Sequence, residues 1–242
     1  MDISQKTVVI TGGAKGLGKE MARIFKERGA NVVVLDKDEV EMKKISEELG
    51  VDAFLVDVTK EETLKEATEK IISKYGRIDI WINNAGVWMP PEDIESIDMR
   101  KAGNLFHVNV FGTICGMRTA IRQMKIQKGG MVVNVISTTA FDGMNGSSGS
   151  MYVASKYALR GLTNVLREEL KPSNIEVTGV YPGGMKTELF GDTKPNNLDH
   201  FMKAEDIAKK IVENIESAEP ETELILKRPD QELSHELTGN KS

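Results

Sequence analysis

"TVVITGGAKGLG", residues 7–18, joins two backbone habits in one short stretch. Its first five residues are mostly β-branched and read as a strand; Gly12, Gly13, Gly16 and Gly18 then break the pattern, and helical spacing follows to Arg28. A strand entering a helix through glycines is the first half of a βαβ unit. Glycines at that turn let the backbone pass close to a ligand, and the free amides at a helix start attract an anion such as a pyrophosphate. A tight turn with no ligand has the same composition, and the spacing departs from G-x-G-x-x-G.

Six more runs resemble the first: "NVVVLD" (31–36), "DAFLVD" (52–57), "IDIWIN" (78–83), "MVVNVIS" (131–137), "IEVTGVY" (175–181) and "ELILK" (223–227). Continuous apolar runs of this length suit strands covered on both faces. Helical stretches lie between them. One covers 60–74, with Thr59 and Glu62 at capping-box spacing, and one begins at "YVASK", residues 152–156. A third, from about Met99 to Gln127, is apolar over an arc wider than one sheet face needs. The alternation predicts an α/β fold: a doubly wound, seven-stranded parallel sheet with helices on both faces. No linker, repeat or low-complexity segment divides residues 1–242, so one domain is expected, with a polar, frayed tail over 229–242.

The totals agree. A chain of 242 residues buries roughly 70–75% of its unfolded surface, enough for a sizeable core. With 40% hydrophobic and 29% charged residues and a net charge of −5, it has no basic footprint for nucleic acid and no apolar stretch long enough for a membrane. One cysteine, Cys115, excludes an intrachain disulfide, and the start lacks a leader pattern, so a cytoplasmic location is expected. His107, His200 and His235 lack metal-ligand spacing, and no metal is expected.

Candidate chemistry gathers at the carboxyl ends of the strands, where open α/β sheets bind ligands. Asp36 closes the second strand, where a carboxylate can accept from an adenosine ribose and would repel a 2′-phosphate; this favours NAD over NADP. Lys15 and Lys37 oppose it, since either ammonium suits that extra phosphate, though both also suit solvated surface. The fourth strand ends in Asn83–Gly86, "NNAG", and the fifth places the Ser137 hydroxyl at the same edge. Tyr152 and Lys156, four apart on a helix, share one face.

Taken in order, these motifs closely resemble the short-chain dehydrogenase/reductase (SDR) family. Thr11, Gly12, Gly16 and Gly18 match its T-G-x-x-x-G-x-G motif, and Tyr152 and Lys156 its Y-x-x-x-K motif. Asp57 in "DVT", Asn109 in "HVNVFG", and Pro182, Gly183 and Thr187 in "YPGGMKT" match later positions. The resemblance implies a Rossmann fold that binds NAD(P), with Asn109, Ser137, Tyr152 and Lys156 as the catalytic set. It also implies cofactor contacts from Gly12, Lys15, Gly16, Leu17, Gly18, Asp36, Asp57, Val58, Asn84, Ala85, Gly86, Tyr152, Lys156, Pro182, Gly183 and Thr187. The loop before Tyr152 is longer than the family's usual one: counting back from Tyr152 selects Thr139, whereas counting from the strand residue Asn134 selects Ser137. Insertions belong in loops, which favours Ser137. The glycine-rich closing motif frequent in the family is missing.

The expected chemistry is hydride transfer between nicotinamide and a secondary alcohol or ketone. A free tyrosine has a pKa near 10, and a nearby ammonium that lowered it by about 3 units would supply roughly 4 kcal/mol in favour of the phenolate. Tyr152 would then exchange the substrate proton, Ser137 would hold the substrate oxygen, and Lys156 and Asn109 would take the family's ribose-binding and water-relay roles. Trp88, Met89, Met144, Met185 and Phe190 are expected to line an apolar substrate pocket, partly on a loop over about 185–203. The wide apolar arc of the 99–127 helix predicts a homodimer or homotetramer. A nucleotide-sensing or scaffolding relative would show a damaged tetrad, and a methyltransferase would leave Tyr152, Lys156 and "NNAG" unexplained.

Overall fold

The computed structural model describes residues 1–141, 149–191 and 198–228. Its elements alternate from the start: β1 (Thr7–Thr11), α1 (Gly16–Glu27), β2 (Asn31–Asp36), α2 (Glu39–Leu49), β3 (Asp52–Leu55), α3 (Glu61–Tyr75) and β4 (Ile80–Asn83). Then come α4 (Met99–Phe106), α5 (Thr113–Ile126), β5 (Gly130–Val135), α6 (Ser150–Leu170), β6 (Ile175–Pro182), the short β7 (Met185–Lys186) and β8 (Met202–Lys203), α7 (Ala204–Glu216) and β9 (Glu223–Leu226). Seven strands form one parallel sheet in the order β3-β2-β1-β4-β5-β6-β9, while β7 and β8 pair separately. The order reverses beside β1 and β4, and that reversal leaves a crevice at their carboxyl ends.

Side-chain alternation divides the core between the two faces. Val8 and Ile10 of β1 pack with α1 and α7, whereas Val9 packs with α3, α5 and the carboxyl end of α6. Trp81 on β4 is completely buried. Its Nε1–H donates to Asn83 Oδ1 at 2.8 Å, Asn83 Nδ2 to Asn134 Oδ1 at 2.8 Å, and Asn134 Nδ2 to Thr163 Oγ1 at 3.0 Å. This buried chain ties β4, β5 and α6 together, and each donor finds an acceptor, as buried polar groups require.

Several expected boundaries move. β3 ends at Leu55, although Val56 N–H still donates to Asp36 O at 2.8 Å, and β4 starts at Ile80 rather than Ile78. The Thr59–Glu62 capping box does not form. Lys60 is the N-cap of α3, and the Thr59 hydroxyl donates instead to Asp57 Oδ1 at 2.7 Å, a nearer and charged acceptor. The long helix is interrupted by a π turn over His107–Gly112. Among the described residues no helix is long and apolar enough to cross a membrane.

Gly116 faces the buried chain: a Cβ there would fall on Asn83 Oδ1 and lie 3.1 Å from Trp81 Nε1. Gly116→Ala is expected to destabilise the protein by about 1–3 kcal/mol. The test is a lower urea midpoint at unchanged slope; an unchanged midpoint would show that the network yields freely.

Candidate active site

The glycine loop is held in place by the neighbouring strand. Gly12 has φ +61°, and a Cβ there would stand 2.7 Å from Ala85 Cα; one at Gly18 would overlap the Gly12 carbonyl oxygen. Asn84 Nδ2 donates to Thr11 O at 3.1 Å and to Gly12 O at 2.8 Å, while Thr11 Oγ1 accepts from the amides of Asn84 and Ala85, both at 3.1 Å. The Asn84 amide nitrogen thus braces the glycine loop, while the residue itself lines the cavity. Lys15, at the N-cap of α1, gives the helix no side-chain cap, and Gly16 and Leu17 of the first turn line the cavity.

At the end of β2 the Asp36 carboxylate accepts from Ala14 N at 3.1 Å and Asp38 N at 3.1 Å, so it is fixed beside the loop. Lys15 Nζ lies 2.8 Å from Asp38 Oδ2. The hydrogen bond with Asp38 raises the lysine's pKa and lowers that of the carboxyl. Asp38, the N-cap of α2, gave no sign of this role in the sequence, because it meets Lys15 only through the fold. Burial opposes the charge on Asp57, but the Thr59 hydroxyl and amide outweigh it and leave the carboxyl below its usual range.

A cavity of about 900 Å³ runs from Gly12, Gly16 and Leu17, past Asp36, Lys37, Asp57 and Val58, to Asn84–Gly86, and on to Ser137, Tyr152 and Lys156. Pro182, Gly183 and Thr187 line its far wall. Tyr152 and Lys156 share a face of α6, with Nζ 5.4 Å from the tyrosine ring centre. Asn109 lies behind the wall. Its Oδ1 accepts from Val87 N at 2.8 Å, and its Nδ2 donates to Val87 O at 2.9 Å and Ser155 Oγ at 3.4 Å. Ser155 Oγ–H in turn donates to Tyr152 O at 2.7 Å, and the Thr113 hydroxyl donates to Asn109 O at 2.8 Å. The π turn therefore carries a clamp between the β4 loop and α6, with both ends of the Asn109 carboxamide engaged.

Burial drives both functional groups toward neutrality. Tyr152 is pushed up to about 12 by desolvation, partly offset by its hydrogen bond with Ser137. Lys156 is pushed down to about 8 by desolvation. The expectation of a phenol held below 10 is reversed, because removal from water outweighs the support that the Ser137 hydrogen bond gives the phenolate.

The substrate side is aromatic. Trp88 and Phe190 rings meet edge-on at 5.1 Å, Phe190 and Phe201 at 5.7 Å, and Met185 joins them on the wall. Met89, expected here, turns away and packs with Ala102, Leu105 and Tyr152. Met144 lies outside the described residues. Wall residues that the sequence reading did not assign include Thr139, set aside in favour of Ser137, and Arg228, 5.4 Å over the Phe201 ring from beyond the last strand.

The profile described as short chain dehydrogenase matches residues 6–198. A short-chain dehydrogenase reductase of Arabidopsis thaliana is 34% identical over 197 residues, covering 81% of this chain and 72% of that one. An L-fucose dehydrogenase of Bos taurus is 32% identical over 196 residues, covering 80% and 71%. A 3-ketoacyl-(acyl-carrier-protein) reductase from Brucella melitensis, solved as a complex with NADH, superposes with a TM-score of 0.81 at 28% identity, covering 87% of this chain and 90% of its own. The chain belongs to the short-chain dehydrogenase family and is an oxidoreductase with its doubly wound fold.

An ammonium held where burial lowers its pKa costs stability. Lys156→Met should therefore stabilise the unliganded protein at pH 7 by about 1–3 kcal/mol. The advantage should shrink as pH rises from about 8 toward 10.5, where the folded lysine releases its proton before the unfolded one. Urea denaturation of both proteins across that range is the check; a variant no more stable at pH 7 contradicts it.

Proposed function

We propose that this protein is an NAD-linked dehydrogenase or reductase acting on an apolar secondary alcohol or ketone. The observation that carries this is one continuous cavity joining the glycine loop and Asp36 to Ser137, Tyr152 and Lys156. The residues fit a dinucleotide: the loop lacks the β-carbons that would block close approach, open helix amides suit a pyrophosphate, and the fixed Asp36 carboxylate suits ribose hydroxyls. Gly12, Gly16, Leu17, Asp57, Val58, Ala85 and Gly86 would surround its adenosine and phosphates, and Pro182, Gly183, Thr187 and Lys156 its nicotinamide half. Nicotinamide, when bound, supplies or accepts the hydride.

The chain's own groups handle the proton. Tyr152 Oη gives a proton to the ketone oxygen or takes one from the alcohol, and Ser137 donates a hydrogen bond to that same oxygen. Pushed down to about 8, the Lys156 pKa still lies above neutral, and the ammonium's charge favours the phenolate as it forms. Asn109 acts through the Val87 clamp, which keeps the β4 loop and α6 in register. Lys15 is engaged with Asp38, which supports the preference for NAD that Asp36 suggests.

Trp88, Met185, Phe190 and Phe201 favour an apolar substrate body, with residues 185–190 and Phe201 on the substrate-side wall of a single domain. Phe111 and Ile126, exposed on the π turn and α5, support a homo-oligomer. A lone free cysteine is in line with a cytoplasmic location.

Tyr152→Phe should bind NADH nearly as wild type does and lose about 100- to 10,000-fold in turnover. Fluorescence titration and a ketone screen measure the two; retained turnover removes Tyr152 from the chemistry. Wild-type protein should bind NADH more tightly than NADPH, and Asp36→Ser should shift that ratio toward NADPH by about tenfold or more. Tighter NADPH binding by wild type would overturn the NAD reading.

A further inference from the structure

The fold places Thr139 beside Ser137, so the two hydroxyls that compete in the sequence for one role stand next to each other. β5 ends at Val135, and residues 138–140 wind into a single 3-10 turn capped by Ser137. That turn brings Thr139 N to 3.2 Å and Thr139 Oγ1 to 3.0 Å from Ser137 Oγ. Ser137 is 8% exposed and Thr139 9%, so solvent competes weakly for these bonds.

A serine hydroxyl has one hydrogen to donate and two lone pairs with which to accept. The Thr139 amide fills one lone pair and the Thr139 hydroxyl fills the other. The hydrogen of Ser137 is then left for Tyr152, with which Ser137 shares a hydrogen bond.

We propose that Thr139 is a positioning residue: by filling both acceptor sites of Ser137, it makes that serine a dedicated donor toward Tyr152 Oη and toward a substrate oxygen. The proposal rests on the pairing of Ser137 with Tyr152 in the proposed mechanism. A donor that itself accepts hydrogen bonds is polarised and donates more strongly, an effect of about 10–30% per bond. The gain is largest when the acceptor is charged, as a phenolate or alkoxide is. Thr139 acts through Ser137 and needs no contact with the reacting atoms.

The test is an ultraviolet difference titration of the Tyr152 phenol, each protein measured against its own Tyr152→Phe counterpart with NAD⁺ as the bound probe. Thr139→Val should move the titration up by about half a pH unit, because the phenolate loses part of its donor. Thr139→Ser, which keeps the hydroxyl, should superimpose on wild type. In a Ser137→Ala background, Thr139→Val should move it no further. Coincident wild-type and Thr139→Val curves, or a shift that persists without Ser137, would overturn the proposal. Neutron diffraction on the unsubstituted protein gives a reading independent of any variant: deuterium on Thr139 Oγ1 aimed at Ser137 supports it, and deuterium aimed elsewhere overturns it. Both measurements read the hydroxyl chain whether or not Tyr152 transfers a substrate proton. A failed titration therefore sinks Thr139's role alone, whereas turnover retained by Tyr152→Phe sinks the catalytic reading alone.

Discussion

The Thr11 hydroxyl and the Asn84 carboxamide hold the ends of β1 and β4 closer than any β-carbon would permit. The rest of the site depends on this contact. Gly12 turns with its Cα side against Ala85, and the amides of Asn84 and Ala85 are satisfied by Thr11 rather than by water. Because β1 and β4 are adjacent where the strand order reverses, the same contact aligns the glycine loop with the wall that leads to Tyr152. A loosened clamp would free both walls at once.

Behind that wall, polar side chains accomplish what apolar packing alone could not. The chain from Trp81 through Asn83 and Asn134 to Thr163 fixes β4, β5 and α6 relative to one another. Asn109, Ser155 and Val87 repeat the arrangement one level nearer the cavity. Hydrogen bonds are directional, so such chains specify register where hydrophobic contacts tolerate sliding. The π turn carries Asn109 where its side chain meets Val87, and the Thr113 hydroxyl donates to the Asn109 carbonyl.

The same enclosure sets an electrostatic cost. Burial disfavours both the phenolate of Tyr152 and the ammonium of Lys156. Two groups that resist ionisation when separate can support it in each other when opposite charges form together, since a dry site strengthens attraction as well as desolvation. The buried ammonium of Lys156 is therefore held at some expense to stability.

The amino-acid sequence by itself determined the layered sheet, because strands buried on both faces must be apolar throughout and helices between them must be apolar on one side. The seven runs reappear as the seven strands, with ends shifted by a few residues where pairing stops. It also put the glycine loop, Asp36 and Ser137 at or near strand ends and Tyr152 and Lys156 on one helix face, while their gathering into one site was implied by the family resemblance. What only the tertiary structure decided were partners between distant segments. Lys15 meets Asp38, Asn84 serves the loop, Asn109 clamps Val87, Met89 points inward, and Thr139 stands behind Ser137. Sequence spacing sets the direction of a side chain only within regular elements; in turns and loops that direction is set by whichever donor, acceptor or cavity the packed fold brings within reach.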